Sequence, residues 1–110
     1  MIAVIGLLMG VVAGILVQPT VPAQLEPYLP IAVVAALDAL FGGLRAHLDG
    51  VFDDRVFAVS FLSNVLVAGL IVFLGDQLGV GPQLTTAVVV VLGIRIFSNA
   101  AAIRRNLFKA

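Results

Sequence analysis

Arg95 stands inside the most apolar stretch of the chain, residues 84–103, in the local sequence Val-Val-Val-Val-Leu-Gly-Ile-Arg-Ile-Phe. A guanidinium at the centre of a bilayer costs about 2.5–3.5 kcal/mol on insertion scales, so it needs a partner, a water-filled cavity or a role. Asp38 and Asn64 are the side chains able to answer it. Counting inward from the outer helix ends at Leu29, Leu74 and Leu84, at roughly 1.5 Å per residue, Asp38 lies at ~14 Å, Asn64 at ~15 Å and Arg95 at ~16 Å. An aspartate, an arginine and an amide at one depth, on three helices, can satisfy most of their hydrogen bonds without water. Such a layer either fixes helix register as a structural ion pair or binds and relays an ion; the structural reading is the commoner one.

Other polar groups extend the layer. Ser98 and Asn99 follow Arg95 by three and four residues and share its face, and Ser60 precedes Asn64 by four. This stripe fits either interhelical hydrogen bonding or the lining of a half-channel. A second cluster, Arg45, His47, Asp49, Asp53, Asp54 and Arg55, falls in the segment between two apolar runs. Its spacing matches no metal-binding loop and its single His has no second imidazole nearby, so a solvated loop that meets headgroups or a partner is expected, with no metal. No nucleophile is set beside a base and no phosphate loop is present, so the chain reads as no enzyme, with no catalytic residue and no cofactor.

The elements that must hold these groups follow from composition. Of 110 residues 62% are hydrophobic and 11% charged, with a mean hydropathy of +1.21, where a soluble domain has about a quarter of its residues charged. The expected fold is all-α, a polytopic membrane protein in the form of one small bundle spanning residues 1–110. Apolar runs at 2–17, 29–44, 56–74 and 84–103, separated by Pro and Gly, give four transmembrane helices, or three and a short one, because the first two runs fall below the ~20 residues of a straight span. Gln18 with Pro19 and Pro22 stops the first run. No Lys or Arg precedes that run, so it is kept as a membrane helix, not a signal peptide. The chain has no Cys, which removes disulfides and thiolate chemistry.

Six acidic and six basic residues cancel, leaving no basic block for nucleic acid. The distribution of the basic residues is informative, since segments 18–28 and 75–83 hold no Lys or Arg whereas 45–55 and the tail do. By the positive-inside rule, a multi-pass protein with both termini cytoplasmic is expected. Gly6, Gly10 and Gly14 recur every four residues on the first helix and form the most specific packing face, with a weaker one in Ala35, Ala39 and Gly43.

The strings Ala36-Leu-Asp-Ala-Leu-Phe-Gly-Gly-Leu-Arg-Ala46, Phe61-Leu-Ser-Asn64 and Leu92-Gly-Ile-Arg-Ile-Phe-Ser-Asn-Ala-Ala-Ala-Ile-Arg-Arg105 resemble the small basic protein family of bacterial membrane proteins. The resemblance implies an envelope- or division-associated component of the bacterial inner membrane and supplies no family active site. The net charge of zero departs from the family's name. Two functions are therefore expected in order: a non-enzymatic component that assembles with itself or other membrane proteins in the lipid bilayer, and a small oligomeric channel or carrier that uses the Asp38, Asn64 and Arg95 layer for an unknown ion or small molecule.

Overall fold

The computed structural model describes residues 1–17 and 20–109, so the expected helix stop at Gln18 and Pro19 lies outside the described residues. Four helices follow in order: α1 (Ile2–Val17), α2 (Leu29–Leu48) behind a short turn at Glu26–Tyr28, α3 (Asp54–Gln77) and α4 (Gly81–Phe108). Three of them, α2 with its leading turn, α3 and α4, are long and apolar enough to cross a membrane. The short helix is α1, with 16 residues, and not α2, which reaches 20.

The ends of three helices lie beyond the apolar runs, and local chemistry explains each correction. The second helix continues past Leu44 to Leu48 because Gly50 adopts φ 76°, which lets the Gly50 and Val51 amides donate back to the carbonyls of His47 and Ala46. Arg45 and His47 are thus helical, and the supposed loop of 45–55 shrinks to residues 49–53. The third helix starts at Asp54 and not Val56, because Asp53 accepts hydrogen bonds from the Arg55 and Val56 amides at 2.8 and 3.2 Å. Gly79, at φ 78°, closes its far end at Gln77 in the same way as Gly50. The fourth helix begins at Gly81, with Pro82 tolerated in its first turn, and runs five residues past Ile103 through Arg104 and Arg105.

α2 packs most extensively on α4, while α3 lies against both; α1 rests mainly on α3. The bundle measures 45 × 29 × 23 Å, and its long axis matches the roughly 40–45 Å of a bilayer with headgroups. Arg45, Arg55, Arg104, Arg105 and Lys109 fall at the helix ends on one side, termed here the basic end. The opposite end holds Glu26 and Asp76 and no Lys or Arg. A dry core of Ile31, Ala68 and Val72, flanked by Tyr28, Val88 and Val89, fills the half of the bundle nearest the opposite end.

α1 is attached lightly. Val4 is its one buried residue, and Gly6, Gly10 and Gly14 are all exposed, with nothing within 4 Å of where a Cβ would stand. Within one chain this glycine face packs on nothing described. The close approach occurs at Gly43 instead, where a Cβ would stand 2.9 Å from the Phe57 ring.

Candidate functional site

Arg95 and Asp38 meet near the middle of their helices. Asp38 is the tenth of the 20 residues of α2 and Arg95 the fifteenth of the 28 of α4. Nη2 of Arg95 lies 3.3 Å from Oδ2 of Asp38, whose side chain is 5% exposed while that of Arg95 is 52% exposed. The pair is therefore lopsided: a carboxylate sealed inside the bundle is met by a guanidinium that reaches it from the surface. Oδ1 of Asp38 is buried with no hydrogen-bond partner among the described residues. Asn64 borders the same space as Asp38 and Arg95 but makes no hydrogen bond to either among the described residues.

Two further polar contacts tie α2 to α4 toward the basic end. Nη1 of Arg45 donates to Oδ1 of Asn99 at 3.2 Å, and Nδ2 of Asn106 donates to Oδ1 of Asp49 at 3.3 Å. Asp38 and Asp49 are eleven residues apart, as are Arg95 and Asn106. Eleven residues are close to three helical turns, so both pairs fall on one seam between two parallel helices. Pairing residues 38 with 95 and 49 with 106 preserves a single offset along the chain, which fixes the register of α2 on α4. Sequence reading found Asp38, Arg95 and the shared face of Asn99 but missed this ladder; the equal eleven-residue spacing is the signal that reveals it.

The acids near 49–54 each have an internal task. Asp49 also lies 3.9 Å from Nε of Arg45, one turn before it. Asp53 caps α3, and Asp54 receives the Ala3 amide on Oδ1 at 2.9 Å and the Met1 amino group on Oδ2 at 3.0 Å. Asp54 precedes the apolar run that opens at Val56, and these two donors, the Ala3 amide foremost, hold its carboxyl below the usual carboxylate range. His47 and Arg55 are exposed. Among the described residues no group of three or more His, Asp or Glu is placed to hold a metal ion.

Two spaces flank the ion pair. A cavity of about 180 Å³ runs from Val51, Phe52 and Asp53 at the basic end, past Gly43 and Ser60, to Asp38, Asn64 and Arg95. On the other side, a groove of about 330 Å³ opens between α3 and α4, with Asn64 and Arg95 at its end toward the basic side, the buried Ala68 and Leu92 beneath it and Val67, Ile71, Val88 and Val91 also lining it. Asn64 and Arg95 border both. Chemically, the arrangement offers a fixed acceptor in the first space and guanidinium donors toward the second.

Residues 21–108, which take in α2, α3 and α4, match the family model described as a protein of unknown function (DUF1290). An uncharacterized protein of Mycobacterium tuberculosis is 64% identical over 110 residues, covering 100% of this chain and 91% of its own length, and one of Mycobacterium bovis matches equally. A Bacillus subtilis protein named small basic protein is 45% identical over 104 residues, 94% of this chain and 84% of its own. No solved structure matches.

Proposed function

We propose a role for this chain, which belongs to the DUF1290 family and is similar to the small basic protein of Bacillus subtilis, as a non-enzymatic subunit of an assembly in the bacterial inner membrane. The observation that carries the reading is the exposed half of Arg95. Its side chain is 52% exposed at the middle of a 28-residue apolar helix, at one end of the groove between α3 and α4. Asp38 meets the guanidinium through Nη2 alone, and no other protein acceptor of its N–H groups is found among the described residues, while Arg95 borders the groove. Hydrocarbon cannot accept those hydrogen bonds, and the residual cost of several kcal/mol per unmet polar group is removed when a neighbouring helix with acceptors covers the groove. A further copy of the chain, or another membrane protein, supplies that helix. The bare glycine face of α1 adds a second surface where a neighbouring backbone can approach closely.

The basic end is proposed to face the cytoplasm, following the concentration of Arg and Lys there. Residues 1–3, held by Asp54, and residues 104–109 both lie at that end, which supports a multi-pass arrangement with both ends of the described chain cytoplasmic. Envelope or division assemblies are the setting that the family resemblance favours. A second reading, a small oligomeric channel or carrier, has one observation in its favour: the cavity that leads from the basic end to Asp38.

The test is the mass of the protein in mild detergent and in nanodiscs. An assembly role predicts a complex of at least two chains, or a stoichiometric partner, that dissociates in the double variant Asp38→Leu with Arg95→Leu, which strands no buried carboxylate, while the isolated chain stays folded. A monomer that remains folded with Arg95 intact counts against it.

A further inference from the structure

We infer that the cavity between α2 and α3 is a water-filled inlet, open at the basic end and closed beyond Asp38, which brings solvent to the ion pair from one side of the membrane only. Four observations lead there. Asp38 is 4% exposed, yet its Oδ1 has no partner among the described residues, and a buried carboxylate oxygen without a donor is one of the costliest groups a fold can keep. The cavity that this carboxylate borders holds about 180 Å³, room for several waters at roughly 30 Å³ each. A buried water needs two to four polar partners, and the cavity supplies Asp38, Ser60, Asn64 and Arg95 along its length, with Ser60 and Asn64 one turn apart on α3. Finally, the direction of access is set by the packing. Toward the basic end the α2 wall is of small residues, Ala39, Gly42, Gly43 and Ala46, which leave room opposite the larger Val56, Phe57 and Phe61 of α3, and the space reaches the chain segment at 51–53. Beyond Asp38 the packing turns apolar, with Ile31, Ala68 and Val72 buried, the last only 1% exposed, and the space of about 100 Å³ beside Ile31 and Ala68 has no charged residue in its lining.

Water in this space donates to Oδ1 of Asp38 and accepts from Arg95, so the pair is hydrated on the cavity side and meets the groove on the other. The inference concerns hydration and its side of entry; it holds whether the protein assembles passively or conducts, and it goes beyond both readings. It also gives a structural use to the small-residue row Ala35, Ala39 and Gly43, which keeps the walls of α2 low.

The absence of Cys makes the test direct. Single-cysteine chains Ala39→Cys, at a half-buried wall position, and Ser60→Cys, which borders the cavity but is itself exposed, report the cavity; Leu66→Cys reports the exposed apolar surface, and Arg105→Cys marks the basic end. Right-side-out and inverted membrane vesicles are treated with silver ion or an impermeant methanethiosulfonate, and residual thiol is counted after denaturation. A thiol in hydrocarbon stays protonated and inert, so Ala39→Cys, half-buried on the cavity wall, should be blocked about ten-fold faster or more than Leu66→Cys, from the same side as Arg105→Cys. Ser60→Cys is nearly isosteric and keeps the inference testable if Ala39→Cys does not fold. Blocking no faster than Leu66→Cys in a protein that accumulates normally overturns the inlet; blocking at equal rates from both sides overturns its closed end.

Discussion

Asp38 and Arg95 are bound to each other at 3.3 Å but do not share an environment, for the aspartate is sealed in the bundle while the arginine is half open to its surface. Much of the behaviour of this protein follows from that asymmetry. The ladder of contacts from Asp38 to Asn106 holds α2 and α4 in parallel register, the cavity reaches the pair from the basic end, and the groove exposes it on the opposite side.

Removing one partner should not be equivalent to removing the other. Arg95→Leu strands a buried carboxylate and is expected to destabilise the chain by about 3 kcal/mol or more, whereas Asp38→Asn leaves a half-exposed guanidinium and is expected to cost about 1 kcal/mol. The double variant Asp38→Leu with Arg95→Leu should recover most of the loss, since both charges are gone. Unfolding titrations in mixed detergent micelles measure all three, and equal losses for the two single variants would contradict the asymmetry.

Glycines should divide by what stands next to them. Gly43→Ala drives a methyl against the Phe57 ring, 2.9 Å from the added carbon, and overpacking there should cost about 1–2 kcal/mol. Gly10→Ala meets nothing within 4 Å in the same chain, so the isolated chain should be unchanged or gain up to about 1 kcal/mol from helix propensity. Loss of oligomer in Gly10→Ala with intact monomer stability would assign the α1 face to a contact between chains. The comparison needs only melting curves and native gels.

Docking of α1 should depend on Asp54 in a pH range that can be stated. A carboxyl held below its usual range contributes stability that is present above the unfolded value near pH 4 and is lost as pH falls through the lower folded value. Protection of the Ala3 amide against hydrogen exchange should therefore be flat in opening free energy from about pH 5 to 8, fall below about pH 4, and be absent at all pH values in Asp54→Ala. Unchanged protection in Asp54→Ala would show that α1 is held by other contacts.

Asn99→Ala should loosen the basic end selectively. It removes the acceptor of Arg45 and leaves the 3.9 Å contact to Asp49, at a cost of about 1 kcal/mol given that Arg45 is partly solvated. Protease nicking near residues 49–53 should increase while the Ile31, Ala68 and Val72 core remains protected. Nicking at wild-type rates would mean that this rung does not hold the basic end closed.

Much of this arrangement is legible in the residues. The four apolar runs locate the helices because bilayer thickness sets their length, and equal depth along α2 and α4 already brings Asp38 toward Arg95. The helix ends are less legible, since Gly50 at positive φ and the Asp53 cap extend α2 and α3 through residues whose polarity reads as loop. The acids at 49, 53 and 54 look like a solvated cluster, yet each ends on a backbone amide or side chain of another segment or helix start, which no spacing rule announces. Gly6, Gly10 and Gly14 carry the clearest packing pattern, and the fold leaves them bare: periodicity shows that a face is smooth but not what lies against it. Asn64 shares the depth of the pair without bonding to it, because depth alone does not fix which way a side chain turns.

The central claim, that the exposed side of Arg95 is covered by another protein helix in the membrane, is tested most directly by a photoactivatable residue at Val91, on the wall of the groove, in intact membranes. Val33, on the exposed face of α2 and 60% exposed, serves as control. The account predicts a protein adduct of discrete mass from Val91, either twice the chain or the chain plus one partner, which is lost in the double variant Asp38→Leu with Arg95→Leu, while Val33 yields lipid adducts. Lipid adducts alone from Val91, in a folded protein with Arg95 intact, would contradict it.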